Sequence, residues 1–178
     1  QEDLDAIGTL GFRGEALASI AAVSEVTLET RTKDSISGTK IVVRAGEVRE
    51  ISEIGCNVGT IITVKDLFFN TPARMKFLKT DATEAANISE IIEKLIISRP
   101  EISFLLIKNG RESLYSAGDN NTHSNVINIY SKEIYDNLTE ISYKTPEIEI
   151  TGFVGNDKIA KPNRKNQIFF VNGRVVKN

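Results

Sequence analysis

The stretch LGFRGEALASI, residues 10–20, joins a glycine-rich turn to the first turn of a predicted helix. Gly11 and Gly14 favour a tight turn, because glycine lets the backbone bend sharply and approach a ligand closely. Apolar residues at helical spacing predict the helix over 15–23. Such a start of a helix presents unpaired N–H groups and a positive dipole end, which bind phosphate. Arg13 adds a guanidinium that can contact the same anion.

The composition of the chain is that of an ordinary globular protein. Its 178 residues are 40% hydrophobic and 26% charged, enough for one large or two small domains. The formal net charge of −2 gives no global signature of a nucleic-acid binder, so any such surface is local. One cysteine, Cys56, and one histidine, His123, exclude an intrachain disulfide framework and a Cys/His zinc cluster.

Both ends of the sequence look internal to a longer protein. The chain begins without Met in a polar stretch and stops a few residues after the turn signal Asn172-Gly173. It contains no apolar run of about 20 residues, the length that spans a bilayer. We therefore expect part of a longer protein that makes no membrane contact in this region.

The first half of the chain reads as a sheet. Alternating, β-branched segments predict antiparallel strands with short links, which is typical of a meander in which each strand pairs with the next. The predicted strands are 26–32, 39–45, 48–54 and 60–67.

Helices and a hairpin follow. Thr71 before Pro72 predicts a short capped helix that packs Phe77 and Leu78 and leaves Arg74 and Lys76 solvated. Asp81 and Glu84 resemble a capping box for an amphipathic helix over 82–98. The pair Asn109-Gly110 predicts a hairpin between strands 102–108 and 111–115.

The polar stretch 118–121 is the strongest internal boundary signal. Beyond it we expect a helix from 122 or 124 to 132, then strands and a polar loop. The strands are 141–143, 147–154 and 167–172, and the loop is 156–166. His123 and Cys56 show no partners in the sequence, so we expect a helix-cap or surface residue and a turn residue.

Four phrases together carry a resemblance to a known family. They are GFRGEALASI at 11–20, GT at 59–60, DLFFNTPARMKFL at 66–78 and FVNGR at 170–174. With these phrases the chain resembles the N-terminal ATPase region of MutL-type DNA mismatch repair proteins. The phrases span nearly the whole chain in the family's order. The last two are the most specific.

The resemblance implies an α+β fold of the GHKL superfamily, which includes gyrase and Hsp90. It implies the C-terminal part of an ATP-binding α/β sandwich, followed by the start of a ribosomal protein S5 domain 2-like domain. The first domain would comprise residues 1–118, with the lid end, the sheet and the helix 82–98. The second, a transducer domain, would comprise 119–178.

The resemblance also implies ATP and Mg²⁺ as ligands. Read without the family, the glycine turn is more simply interpreted as a plain loop before a helix with an exposed Arg13, and Gly59-Thr60 as an ordinary start of a strand. With the family, the amides of 14–17 bind phosphate and the Thr60 hydroxyl helps to hold adenine. Glu15 would favour the helix dipole rather than face phosphate. The expected ATP-binding residues are Gly11, Phe12, Arg13, Gly14, Glu15, Ala16, Leu17 and Thr60.

No catalytic residue and no metal ligand is assigned within these 178 residues. In the family the general base, the magnesium-binding asparagine and the Asp-x-Gly motif would precede residue 1. A γ-phosphate lysine would follow residue 178, and Lys177 does not take that role. We therefore expect residues 1–178 alone to be inactive. A C-terminal endonuclease domain of the parent protein stays open.

A second candidate surface is the loop cluster Lys158, Lys161, Arg164 and Lys165. Cations of this kind contact the DNA backbone without reading sequence. The alternative is a flexible, solvated loop between strands.

The resemblance implies an ATP-driven switch of DNA mismatch repair in the parent protein. Its partners would be DNA, a MutS-type mismatch recognition protein and, when ATP is bound, a second copy. The location would be the bacterial cytoplasm, or the nucleus in a eukaryote. The alternatives are a non-enzymatic nucleic-acid-binding module and another GHKL ATPase, either a type II topoisomerase or a chaperone.

Overall fold

The computed structural model describes residues 14–176, which form a mixture of helices and antiparallel strands. The chain divides into two compact units, Gln1–Lys79 and Thr80–Asn178. This division lies upstream of the boundary expected at 118/119. Compact units need not coincide with the domains of a family, so the domain assignment stays a prediction.

The first unit is a four-stranded antiparallel sheet with two short helices. Its strands follow the order β3-β2-β1-β4 across the sheet. The elements are α1 (Ala16–Ala21), β1 (Glu25–Arg31), β2 (Gly38–Arg44), β3 (Glu47–Ile54), β4 (Gly59–Lys65) and α2 (Pro72–Met75).

The meander prediction was wrong for the last strand. β4 pairs with β1 instead of β3, so that Leu28 and Val26 of β1 lie opposite Ile62 and Val64 of β4. The same residues of β1 face Ile41 and Val43 of β2 on the other side, which makes one continuous apolar face. β3 is rich in charged residues and stays at the sheet edge, where charges discourage further pairing.

The link between β3 and β4 crosses the end of the sheet. It must pass β2 and β1, a distance of about 14 Å at the usual strand spacing, which residues 55–58 can span. Cys56 in this link lies against Gly38, where an added Cβ would clash with the Cys56 sulfur and the Thr30 carbonyl. Gly38 is thus required for close approach, and Cys56 is a turn residue with a packing role.

The segment after β4 anchors the C-terminal end of α1. The Asn70 Nδ2 donates to the Ala22 carbonyl at 2.9 Å, and the Phe68 amide donates to the Val23 carbonyl at 2.7 Å. Thr71 precedes α2 with Pro72 in its first turn, as predicted, but the predicted cap was wrong, because the Thr71 side chain makes no capping hydrogen bond. The predicted packing of Phe77 was wrong, because this side chain is 80% exposed in the structure. The segment around Asn70 is therefore architectural through the Asn70 amide, not through Phe77.

The second unit combines helices with three two-stranded sheets. The sheets pair β5 with β6, β7 with β8, and β9 with β10. The elements are α3 (Asp81–Ser98), β5 (Ser103–Lys108), β6 (Arg111–Ala117), α4 (Thr122–Tyr130), α5 (Lys132–Tyr135), β7 (Leu138–Lys144), β8 (Glu149–Gly155), a 3₁₀ helix (Asp157–Ile159), β9 (Phe169–Val171) and β10 (Arg174–Val176).

Helix α3 is the element around which this unit packs. Its Ile96 is 1% exposed, and the buried Asn125 of α4 donates to the Ile96 carbonyl at 3.1 Å. The cap of α3 differs from the prediction. Thr80 is the N-cap, with its hydroxyl accepting from the Thr83 amide, while Asp81 is the first helical residue. An acidic residue there still favours the helix dipole.

Two Asn-Gly pairs make hairpin turns. Asn109 and Gly110 both have positive φ, at 51° and 74°, which confirms the predicted hairpin. Asn172 and Gly173 have φ values of 49° and 73° and lead into β10, a strand that the sequence analysis did not predict. The helix expected up to 132 ends earlier, because Ser131 at φ 75° separates α4 from α5.

Candidate nucleotide site and cationic loop

The start of α1 supplies the predicted phosphate-binding amides. Gly14 has φ +67°, and an added Cβ would meet none of the described atoms within 4 Å, so glycine is favoured here by its conformation rather than by space. The Ser19 amide donates to the Glu15 carbonyl at 2.9 Å, which leaves the earlier amides without helical partners. The Glu15 side chain does not cap them. Ala16 and Leu17 are exposed. The predicted contacts of Gly11, Phe12 and Arg13 lie outside the described residues.

The opposite end of α1 is held by backbone hydrogen bonds. The Gly46 amide, in the β2–β3 turn, donates to the Ala21 carbonyl at 2.9 Å, and the Ala45 amide donates to the Ser24 carbonyl at 3.1 Å. With the Asn70 bond described above, two separate loops fix where α1 ends. A helix fixed at its C-terminal end presents its first turn in a defined position.

Thr60 is paired with another hydroxyl. It lies opposite Thr30 of β1, with the two Oγ1 atoms 2.8 Å apart, and Thr30 Oγ1 also donates to the Gly59 carbonyl at 3.2 Å. Thr60 is exposed. The sequence analysis named Thr60 but missed Thr30, since a threonine in an alternating strand carries no signal until the register is known.

The described residues do not by themselves make a magnesium site. Residues 14–176 contain no group of three or more His, Cys, Asp or Glu side chains placed to hold a metal ion. Magnesium prefers carboxylates together with substrate phosphates. No step of the chemistry is therefore assigned to a metal bound by these residues.

The cationic loop presents its charges to solvent. Lys158, Lys161, Arg164 and Lys165 are all exposed, and within residues 14–176 none of them has an ion-pair partner within 4.0 Å. The backbone of the loop is held mainly by local hydrogen bonds from asparagine side chains. Asn156 Oδ1 accepts from the Lys158 amide at 3.0 Å, and Asn163 Oδ1 accepts from the Lys165 amide at 3.1 Å. Two Asx turns thus hold the backbone of the loop.

One of these cations influences a carboxylate of α3. The Lys94 hydrogen bond and charge lower the pKa of Glu90, and the charge of Lys165 lowers that pKa further. Lys165 is therefore close enough to sense a carboxylate. Lys158, Lys161 and Arg164 are better placed to act as uncompensated charges.

Two further groups, Glu93 on α3 and Tyr130 on α4, have pKa values raised above the ordinary ones. Burial, followed by repulsion from Glu90, raises the pKa of Glu93. Burial also raises the pKa of Tyr130, and the charges of Glu93 and Glu90 add to this. These shifts describe a partly desolvated interface between helices, and they do not mark a catalytic pair.

His123 has partners that the sequence did not reveal. Its Nδ1 lies 2.7 Å from the Tyr135 hydroxyl, its Nε2 lies 3.6 Å from a Glu140 oxygen, and its ring meets Phe153 edge-on at 5.1 Å. These residues come from α4, α5, β7 and β8. His123 lies in the first turn of α4 with its side chain 43% exposed, in line with the expected surface position, but it is not the cap and it has partners, because these contacts depend on packing between elements.

None of the helices within residues 14–176 has the length and apolarity required to cross a membrane.

The sequence of the chain is similar to those of known DNA mismatch repair proteins. Residues 126–178 match the family model described as "DNA mismatch repair protein, C-terminal domain". The chain is 44% identical over 176 residues to the DNA mismatch repair protein MutL of Thermoanaerobacter pseudethanolicus, and the match covers 99% of the chain. It is 45% identical over 177 residues to MutL of Clostridium acetobutylicum, again over 99% of the chain. The chain spans 29% and 28% of the lengths of these two relatives.

A solved structure is similar as well. The Aquifex aeolicus MutL ATPase domain complexed with ADP matches with a TM-score of 0.79 and 30% identity, over 99% of this chain and 66% of that one. This likeness to a GHKL-type domain confirms the predicted α+β fold class, and the predicted resemblance is confirmed by the relatives. The chain belongs to the MutL family of DNA mismatch repair proteins.

Proposed function

We propose that the protein is an ATP-binding and ATP-hydrolysing switch of DNA mismatch repair. The observation that carries this proposal is the likeness to an ATPase domain solved with ADP, joined to a start of α1 where Gly14 has a positive φ and the first amides have no helical partner within the described residues. In this proposal the amides of 14–17 hold the phosphates and Thr60 lies at the adenine end. Gly11, Phe12 and Arg13 contribute to the phosphate side.

Binding of ATP would favour association of two copies. The reason is a general one, since contacts of a γ-phosphate can hold a switch segment in one of two arrangements. The associated form would bind DNA and a MutS-type protein. Mg²⁺ would be held with residues outside the described part of the chain. The bacterial origin of the relatives favours the cytoplasm over the nucleus as the location.

The test uses the full-length protein. We expect it to bind ATP, to release phosphate, and to sediment as a larger species with a non-hydrolysable ATP analogue than with ADP. The same experiment with GTP is the control for nucleotide specificity. A full-length protein that neither binds nor hydrolyses ATP would contradict the proposal.

The polypeptide of residues 1–178 is a separate case. It offers no counterpart of the family's general base, and such a base contributes about 10²- to 10⁴-fold to a rate. We expect no ATP hydrolysis above buffer background from this polypeptide. Measurable turnover would contradict the assignment of the base to another part of the protein.

The cationic loop is proposed as a contact to DNA. Support comes from the exposure of Lys158, Lys161 and Arg164 and from the absence of ion pairs at these residues within the described structure. Contacts of this type are sensitive to salt and indifferent to sequence. With an overall charge of −2, such binding would have to use a local surface of this kind.

A further inference from the structure

The hydroxyl groups of Thr30 and Thr60 form a hydrogen bond whose direction can be worked out from the neighbouring contacts. The Thr30 Oγ1 atom lies 2.8 Å from Thr60 Oγ1 and 3.2 Å from the Gly59 carbonyl oxygen. A carbonyl oxygen only accepts, so the second bond uses the single proton of Thr30. Both contacts then exist together only if Thr60 donates its own proton to Thr30.

The alternative arrangement forms fewer hydrogen bonds. If Thr30 donated to Thr60, the Gly59 carbonyl would lose its bond from Thr30, and the Thr60 proton would point away from Thr30. The chain from Thr60 to Thr30 to Gly59 makes two bonds from two protons, and consecutive hydrogen bonds polarise and strengthen one another. The register supports this, because Thr30 and Thr60 lie directly opposite each other and Gly59 lies opposite Arg31.

We propose that Thr30 is a specificity-determining residue of the nucleotide site, because it takes up the Thr60 proton and leaves Thr60 as an acceptor only. This inference rests on the proposed function, which puts adenine at Thr60. The ligand group that matches an acceptor is an N–H donor, namely the 6-amino group of adenine. A 6-oxo group, as in inosine, would face the same oxygen lone pairs without a proton between them.

The site is also set in place by the fold. The link over residues 55–58 crosses the sheet and delivers Gly59 and Thr60 to the free edge of β1, where Thr30 is the partner. The third threonine of this row, Thr39, lies opposite Thr30 on β2. Its hydroxyl makes no hydrogen bond with the described residues, so it provides a matched control in the same row and on the same face.

The experiment measures equilibrium binding of ATP and of inosine triphosphate to the full-length protein and to five variants. Thr30→Val keeps the size and β-branching of the side chain and removes the hydroxyl. Thr30→Ser keeps the hydroxyl. Thr39→Val removes the unbonded hydroxyl, and the double variant Thr30→Val with Thr60→Val, compared with Thr60→Val alone, tests whether the two act as a unit.

We expect Thr30→Val to weaken ATP binding by about 3- to 10-fold, the value of one hydrogen bond, and to narrow the preference for ATP over inosine triphosphate by a similar factor. The preference narrows because the released Thr60 proton can then be donated to a 6-oxo group. Thr30→Ser and Thr39→Val are expected to stay within about twofold of the unaltered protein. The double variant is expected to bind ATP less than about twofold more weakly than a protein with Thr60→Val alone, because the Thr30 hydroxyl acts through Thr60.

The ratio of the two affinities does not depend on the fraction of protein that is folded, so partial unfolding of a variant does not imitate the expected result. A Thr30→Val protein that binds ATP with an unchanged preference over inosine triphosphate would overturn this inference alone. A Thr39→Val protein that shows the same narrowing would overturn it too. Absence of ATP binding by the unaltered protein would overturn the proposed function, and this inference with it.

Discussion

We propose that the residues at the start of α1 in the first unit and the cationic loop of the second unit bind phosphate by opposite means. At the start of α1 the groups are backbone amides, and their position depends on the φ of Gly14 and on the anchored end of the helix. In the loop the groups are exposed side-chain charges on Asx turns. The first arrangement is sensitive to backbone geometry and the second to salt. Geometry suits a site that must select one ligand, and charge suits a surface that must not read sequence.

The largest expected effect tests the loop. Changing Lys158, Lys161, Arg164 and Lys165 together to Ala should lower DNA affinity by at least about tenfold, and should reduce the slope of log K against log salt by about 3 to 4, since each phosphate contact contributes about 0.9. Fluorescence anisotropy of a labelled duplex at several salt concentrations measures both. Lys165→Ala alone should matter less than Lys161→Ala, because Glu90 lies near Lys165.

The control for this change is ATP binding, which should stay as in the unaltered protein. An unchanged salt slope would mean that the loop is a solvated connection between strands.

The second effect tests backbone geometry. Gly14→Ala should weaken ATP binding by about tenfold, because a residue with a Cβ at positive φ costs about 1–2 kcal/mol or shifts the amides that follow. Gly14→Asn is the matched control, since asparagine tolerates this region better than alanine, and it should bind ATP more tightly than the alanine variant. Isothermal calorimetry of the full-length proteins gives both values. Equal binding by all three would remove Gly14 from the site.

The third effect tests how α1 is anchored. Asn70→Ala removes the bond to the Ala22 carbonyl and should lower stability by about 1 kcal/mol. The local measurement is hydrogen exchange at the amides of Ala22 and Val23, which should become less protected. Arg74→Ala, on the exposed face of α2, is the control and should leave that exchange unchanged. Equal protection in the Asn70 variant would show that backbone bonds alone hold the end of the helix.

The smallest effect concerns pH in the second unit. Burial raises the pKa of Glu93 above the ordinary 4.5, so the folded state favours the protonated form. The stability that this supplies is complete below the unfolded pKa and is lost as pH rises through the raised value. Glu93→Gln, which stays neutral, should therefore protect α3 amides more than the unaltered protein at pH 7 and equally at low pH. Glu90→Gln is the opposite case, because the Lys94 bond lowers the pKa of Glu90.

A lower protection of the Glu93→Gln protein at pH 7 would contradict the direction assigned to Glu93. Hydrogen exchange must be compared as protection factors, which correct for the intrinsic effect of pH on exchange.

Much of the local structure was predictable. The strands β1 to β4 lie within two residues of their predicted limits at nearly every end, because apolar alternation and β-branching are local properties of a strand. Asn109-Gly110 determined its hairpin for the same reason, as a turn type depends on a few adjacent residues. The family phrases likewise nominated Gly14 and Thr60 as site residues, and this assignment stays a prediction.

Pairing across the sheet was not predictable from the same signals. β4 follows β3 along the chain, yet its Ile62 and Val64 complete the apolar face only beside Leu28 and Val26 of β1. The requirement for glycine at position 38 follows from that crossing, since Cys56 comes to lie against it. The exposure of Phe77 and the partners of His123 depend on packing in the same way.

The sequence by itself determined most of the elements, the family and the residues that the family would use, because propensity, turn chemistry and motifs depend on residues that are close together in the chain. Only the tertiary structure decided that Thr30 is the partner of Thr60, which depends on the strand order β3-β2-β1-β4. A strand pattern states which face is buried, but it does not state which strand lies alongside. The direction in which the Thr60 hydroxyl donates in this proposal is therefore decided by the fold, because its acceptor, Thr30, lies 30 residues away in the sequence.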